Sequence, residues 1–322
     1  MIEVSHIRKT FRLPVPKTGR LAAVRSLLSR ESRLKEAVKD ISFTIETGDF
    51  VGYIGPNGAG KSTTIKMLTG ILHPTSGEVF VHGLSPHRHR RQVVRRLGVV
   101  FGQRSQLWWD LPVRDSYDIL AAMYRVDEVA KLRRLAEYRE LLALDEFLDT
   151  PVRKLSLGQR MRADLAAALL HDPDILFLDE PTIGLDVVAK KSIRRFLKTI
   201  NREYGKTILL TTHDMDDIEQ LCQRVIVINH GEIGYDGTIA DLRGRIGLPT
   251  RMKVTFRGRP AVPDSWLSPF TIREQQDDTL TLECNRRDVT AMDVLREISL
   301  WGEVADVHME EPEFEDVVHR IY

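Results

Sequence analysis

Gly55-Pro56-Asn57-Gly58-Ala59-Gly60-Lys61-Ser62-Thr63 is the stretch of this sequence whose residue types and spacing most directly imply chemistry. Glycines at 55, 58 and 60 free the backbone to turn successive N–H groups inward around a cluster of anionic oxygens, and an ammonium and two hydroxyls follow at once. The pattern G-x-x-x-x-G-K-[ST] carries that meaning where a strand precedes it and a helix follows. Both neighbours are present, since Phe50 to Ile54 is a short apolar run and Ile65 to Leu68 a helix-like one. The helix then adds its positive N-terminal end to the same spot. Lys61 would reach the outer phosphates as a point charge, and the Ser62 hydroxyl would hold a magnesium ion.

Other chemistry-bearing residues also stand at the ends of predicted elements. Ile175 to Leu178 is a continuous apolar run of the kind buried in a parallel sheet, and Asp179-Glu180 follow it. Thr207 to Thr212 repeats the pattern and delivers His213. Ligands of open α/β sheets bind outside the carboxyl ends of the strands, so both acids should face the phosphate loop. Leu155-Ser156-Leu157-Gly158-Gln159 opens a helix with Ser156 at the N-cap, and Met161, Leu165 and Leu169 recur along one face.

The elements that must position these residues read in order. Ile2 to Phe11, Ile41 to Ile45 and Phe50 to Ile54 are strands, the last two joined by a Glu46-Thr47-Gly48-Asp49 turn. Residues 12–39 interrupt them as a basic insertion, where Leu21, Val24, Leu27 and Leu28 predict a short amphipathic helix that packs on its own domain or docks at a membrane surface. Glu78 to His82, Leu97 to Phe101 and Val225 to Ile228 are further strands, and Arg88 to Arg96 is an exposed helix face. Val113 to Leu148 has long helical periodicity, which makes 104–150 a helical subdomain. From about Arg251 short alternating strands surround one helix near Met292 to Ile298, so 248–322 is expected to be a small α+β domain after a main domain over 1–247.

Composition adds bounds. A net charge of +1 gives no global pull toward nucleic acid, and no aromatic residues interleave the arginine cluster at 88–96. Cys222 and Cys284 stand alone, which suggests neither a disulfide framework nor a zinc site and favours a reducing cytosol. No apolar run approaches the length of a membrane span, so work at a membrane would need a crossing supplied by another chain.

Taken in order, GPNGAGKST, a glutamine after the next strand, LSLGQ opening a helix, ILFLDEPT, GLD at Gly184-Leu185-Asp186 and a strand-terminal histidine make the chain resemble the ATP-binding subunit of an ATP-binding cassette (ABC) transporter. The likeness runs from Met1 to about Gly247, and its motif context is most similar to the drug and antibiotic-resistance exporter branch, the daunorubicin-resistance-like proteins. It implies an α/β P-loop ATPase with a mixed sheet core, an antiparallel β-subdomain and a helical subdomain. A soluble cassette ATPase acting on ribosomes or DNA is the alternative, though such proteins commonly fuse two cassettes and this chain has a single phosphate loop.

The resemblance implies a head-to-tail homodimer with ATP and Mg2+ held between the phosphate loop of one copy, Gly55 to Thr63, and the LSLGQ helix of the other. Ser156, Gly158 and Gln159 would meet the γ-phosphate across the interface, and Asp186 would link the two sites. Asp179 would steady the magnesium, Glu180 would be the general base, and His213 would contact the γ-phosphate. Gln103 would touch magnesium or the lytic water, with Gln106 as second choice, and Phe11 matches the aromatic that stacks on adenine. Separate transmembrane permease subunits would hold the protein at the cytoplasmic face of the membrane. Trp108 and Trp109 fall where the permease groove lies, as a partner surface or as core. The sequence departs from the usual pattern at Leu157, in place of one of a common Gly-Gly pair, and at Ile183.

Overall fold

A long antiparallel ladder opens the chain, with β1 (Ile2–Pro14) paired to β2 (Ser32–Ile45) in a register that runs from Ile2↔Ile45 to Pro14↔Ser32. This computed structural model describes residues 1–14, 32–102, 104–266, 269–285 and 288–321, in two compact units, Met1–Asp236 and Gly237–Tyr322. The expectation that 12–39 forms one insertion is corrected at both ends. Cross-strand pairing carries β1 past Phe11 and starts β2 before Ile41, because Arg12 and Leu13 find extended partners in Leu34 and Arg33. The helix expected over Leu21 to Leu28 lies outside the described residues.

β3 (Phe50–Ile54) is buried at every residue and leads through the glycine-rich loop into α1 (Lys61–Leu68). β4 (Ser76–Val81) returns to pair with the free side of β1, Ile2 facing Val81. After the short α2 (Arg90–Val94), β5 (Leu97–Phe101) brings the chain to the opposite edge of the sheet. Two helices follow, α3 (Val113–Tyr124) and α4 (Glu128–Leu142), and then α5 (Leu157–Leu169).

The remaining strands of the first unit alternate with helices, β6 (Ile175–Asp179), α6 (Val187–Arg202), β7 (Thr207–Thr211), α7 (Met215–Leu221), β8 (Arg224–Asn229) and β9 (Glu232–Thr238). Among the described residues the sheet runs β4-β1-β2-β9-β8-β3-β7-β6-β5. The neighbours from β8 to β5 are parallel, and their apolar runs are buried because helices leave no wet face. Helix α6 contributes such a cover, with Ile193, Phe196, Leu197 and Ile200 forming one buried stripe at helical spacing. The parallel half therefore ends its strands on one side, where the loops after β3, β6 and β7 gather.

The second unit begins with α8 (Ile239–Ile246), ahead of the join expected near Gly247 to Thr250. It contains a four-stranded antiparallel sheet in the order β11-β12-β10-β13, from β10 (Thr250–Phe256), β11 (Phe270–Gln276), β12 (Thr279–Cys284) and β13 (Val304–Glu310). Met252, Val254 and Phe256 alternate inward and join Val294 and Ile298 of α9 (Ala291–Ile298) in its core. A terminal helix, α10 (Phe314–His319), completes this unit and receives Arg243 of α8 over its Phe314 ring.

Candidate active site

β3 enters the phosphate loop against a neighbouring strand. A Cβ at Gly55 would lie 2.1 Å from the Ile228 carbonyl oxygen of β8, so glycine alone fits. Gly58 and Gly60 hold φ of 82° and 113°, in the left-handed region. Gly60 starts α1 without any side-chain cap, which leaves the first-turn N–H groups of that helix directed into the loop.

Lys61 is buried, and its ammonium donates to the Gly55 carbonyl and, at 3.2 Å, to that of Pro56. Removal from water lowers its pKa against the opposing pull of Glu180 and Asp179. Ser62 Oγ lies 3.4 Å from Asp179 Oδ2, while Asp179 Oδ1 accepts from Thr211 Oγ1. Thr211 also takes the Glu180 N–H on its carbonyl oxygen at 2.8 Å, so one threonine at the end of β7 holds the backbone or side chain of both acids. Glu180 itself has φ of 56°, uncommon for a residue with a side chain and a form of strain found where a group must be aimed. Its Oε1 is 2.6 Å from His213 Nε2.

Two cavities meet at Ser62 and Glu180. One, about 390 Å3, is also lined by Phe101, Gly102, Arg104 and Asp179. The other, about 340 Å3, takes Phe11, Leu13 and Lys35 from the β1–β2 ladder and Asn57, Gly58, Gly60, Lys61 and Thr63 from the loop and helix. Phe11 therefore shares a cavity with the phosphate loop. Ser62, Asp179 and Glu180 supply only oxygens, a donor set suited to a hard cation such as magnesium, and no cluster of three or more His, Cys, Asp or Glu among the described residues would enclose an ion by itself. Such a set fits an ion completed by phosphate oxygens.

Behind the acids lies a network that the sequence reading missed. Asp217 of α7 is fully buried and accepts from Thr182 Oγ1, from Arg194 Nε and, at 3.3 Å, from Thr212 Oγ1. Arg194 and Lys190 of α6 also grip Asp214. The segment after Glu180 and the segment carrying His213 are thus tied to one carboxylate. Thr182 was visible in the DEPT motif, but nothing in the acidic run Asp214-Met215-Asp216-Asp217 distinguished its buried member.

Ser156, Gly158, Gln159 and Asp186 line neither cavity. Ser156 caps α5 in a reciprocal box, its Oγ accepting from Gln159 N at 3.2 Å and its N–H donating to Gln159 Oε1 at 3.0 Å. Asp186 caps α6 through Ala189 N at 2.8 Å. The two helix starts touch, since a Cβ at Gly158 would meet Ala189 Cβ at 3.2 Å and one at Gly184 would meet Leu157 Cδ2 at 3.1 Å. Around them Leu157, Ile183, Val187 and Val188 are exposed, the last two by 79% or more. That is an apolar rim beside two helix N-termini capped only by their own side chains.

Gln103 lies outside the described residues. Gln106 is turned away from the acids, because its backbone N–H donates to Asp164 Oδ1 and its side chain to the Asp164 carbonyl, both at 3.1 Å. Ser105 Oγ donates to the same carboxylate at 2.9 Å, and burial pushes the Asp164 pKa up to about 6. Trp108 and Trp109 are both exposed, at 37% and 54%, which favours the partner-surface expectation over the core one. No helix among the described residues is long and apolar enough to cross a membrane.

Comparison with known proteins bears on the same residues. The family described as ABC transporter matches residues 38–183, from β2 through the two acids to Ile183. The chain is 35% identical to the linearmycin resistance ATP-binding protein LnrL of Bacillus subtilis, over 70% of this chain and 71% of that one. It is 38% identical to the methionine import ATP-binding protein MetN of Latilactobacillus sakei, over 68% of this chain and 64% of that protein. Among solved structures, the dimeric post-hydrolysis state of the ATP-binding cassette MJ0796 bound to ADP and Pi superposes with a TM-score of 0.61 at 27% identity, covering 74% of this chain and 98% of that one.

Proposed function

From the premise that this chain belongs to the ATP-binding subunits of ABC transporters and binds and hydrolyses ATP, we propose that it powers export through ATP-driven closure of a head-to-tail homodimer. The observation that carries this reading is the division of the site. Asn57, Gly58, Gly60 to Thr63, Asp179 and Glu180 converge on one pair of cavities, while Ser156 and Gly158 open a separate helix whose N-terminal N–H groups meet no carboxylate among the described residues. A second copy turned end for end brings that helix to the γ-phosphate. The exposed Leu157, Ile183, Val187 and Val188 would then be covered by the partner, with Asp186 beside the junction.

Within each site Lys61 binds the outer phosphates by exchanging the Gly55 and Pro56 carbonyls for anionic oxygens. Magnesium, held by Ser62 and Asp179, would neutralise charge on the phosphates. Glu180 takes the proton of the attacking water, and its strained backbone aims the carboxylate into the shared part of the two cavities. His213 orients Glu180 before hydrolysis and contacts the γ-phosphate in the closed state.

The linearmycin relative is named for resistance and the methionine relative for import. The exporter reading follows the first, with permease helices on a separate chain docking at Trp108 and Trp109 on the cytoplasmic face of the membrane. Its test is purification of this protein with its polytopic partner into vesicles of known orientation. ATP-dependent movement of substrate away from the side bearing this subunit supports export, and movement toward that side defeats it.

A further inference from the structure

The β1–β2 ladder reaches beyond the strands that the family motifs needed, and its extra residues enter the nucleotide cavity. Phe11 faces Lys35 directly across the pair, and Leu13 follows Phe11 on the same side of β1 because strand side chains alternate. All three line the cavity that holds Asn57, Gly58, Gly60, Lys61, Ser62 and Thr63. Leu13 is 43% exposed, a large apolar side chain at the cavity rim with open space before it. Lys35 is exposed as well, and no ion pair or hydrogen bond among the described residues engages its ammonium. By contrast Lys9, on the same ladder, is spent on the His73 carbonyl and lies 5.4 Å from the Phe11 ring centroid.

We propose that Lys35 is a further nucleotide-binding residue, a second cation of the ATP site that acts on the phosphate chain from the β1–β2 ladder. The inference rests on the nucleotide site proposed above and adds to it a contact that none of its sequence motifs contains. The physical reason is the charge balance of the cavity. Lys61 and Glu180 face it with opposite signs, so a tri- or diphosphate entering it meets no net positive charge from side chains without Lys35. An ammonium on a flexible stem supplies that charge without demanding fixed geometry. Being solvent-exposed, it acts most strongly at low ionic strength.

The test is equilibrium binding of ATP and of adenosine to the full-length protein, in the wild type and in Lys35→Ala, Lys35→Arg and Lys61→Ala. Lys35→Ala should weaken ATP binding about three- to tenfold at low salt, with the gap closing in high salt. Lys35→Arg should stay within about twofold of wild type, and adenosine binding should be the same with and without Lys35. ATP affinity unchanged by Lys35→Ala, in the same series where Lys61→Ala loses ATP, overturns the assignment of Lys35 alone. ATP affinity unchanged in both variants overturns the phosphate-loop reading and this inference with it. Equal loss of ATP and adenosine in Lys35→Ala also overturns it, since a charge on the phosphates cannot act on a nucleoside.

Discussion

His213 Nε2 lies 2.6 Å from Glu180 Oε1, so residues delivered by two different strands already share a hydrogen-bonding distance. The acid is pre-aimed by its own backbone, steadied by the histidine, and lines both cavities. Replacement of Glu180 by Gln keeps the shape and removes the base. Glu180→Gln is expected to bind ATP normally, to sediment as a dimer in its presence, and to lose about two to four orders of magnitude in turnover. Near-normal phosphate release from this variant would remove Glu180 from the role of base.

The composite nature of the site is tested by mixing. A heterodimer of Lys61→Ala with Ser156→Arg subunits keeps at most one site with both halves intact, whereas each homodimer has none. Phosphate release should therefore be partly recovered on mixing, to no more than about half of wild type if the sites fire independently. Full activity in the mixture, or full activity in either homodimer, would contradict a site shared between copies.

Asp217 offers a stability measurement with a functional echo. Asp217→Asn leaves Arg194 facing a neutral amide in a buried place and should cost about 3–5 kcal/mol, read as a lower midpoint in denaturant. Because the amide keeps a single acceptor oxygen, either Arg194 or the Thr182 and Thr212 hydroxyls meet an NH2 group in place of an acceptor, and kcat should fall further than ATP affinity. A variant with wild-type stability and kcat would show that the network holds nothing in place.

Two buried groups make opposite demands on pH. Burial raises the Asp164 pKa to about 6, so between about 4 and 6 the folded protein binds more protons there than the unfolded chain and stability falls as pH rises. Burial lowers the His171 pKa to about 4, so from about 6.5 down to 4 the unfolded chain binds more protons and stability falls as pH drops. Asp164→Asn should steepen the acid-side loss of stability, and His171→Phe should lessen it. Thermal midpoints measured from pH 4 to 7 in both variants check the signs.

Much of this molecule was legible because its central strands are apolar runs that stop at polar residues. β3 and β5 were read with their observed bounds, and β6 and β7 to within a residue, since burial on both faces leaves no alternation to misread. The strands overlooked, β9 and β11, carry few apolar residues and little alternation, Glu232–Thr238 and Phe270–Gln276. The length of the β1–β2 ladder was hidden for a different reason. Its added pairs, Arg12 with Leu34 and Leu13 with Arg33, are exposed on both sides, so nothing in hydrophobic period marks them as strand. At the site, motif residues announced themselves, while Asp217, Thr211, Leu13 and Lys35 act through tertiary neighbours that no spacing encodes.

Exposure of Trp108 and Trp109 gives the docking reading a direct check. Alanine at both positions should reduce recovery of the membrane partner on affinity purification while leaving basal ATP turnover within about twofold. Loss of turnover or of folding with undiminished partner recovery would make them packing residues instead.

The methyl group forbidden at Gly55 links the nucleotide to a part of the sheet with no reacting group. Since the Ile228 carbonyl stands 2.1 Å from where that carbon would lie, β8 works as the stop against which the phosphate loop is seated. Small displacements of β8, whether from a cavity at Val227 or from strain at the following His230-Gly231 turn, would be transmitted to the first residue of the loop without any ligand contact being altered. Variants in that strand should then imitate damage to the triphosphate pocket, and an alanine survey guided by distance from the ligand alone would pass over them.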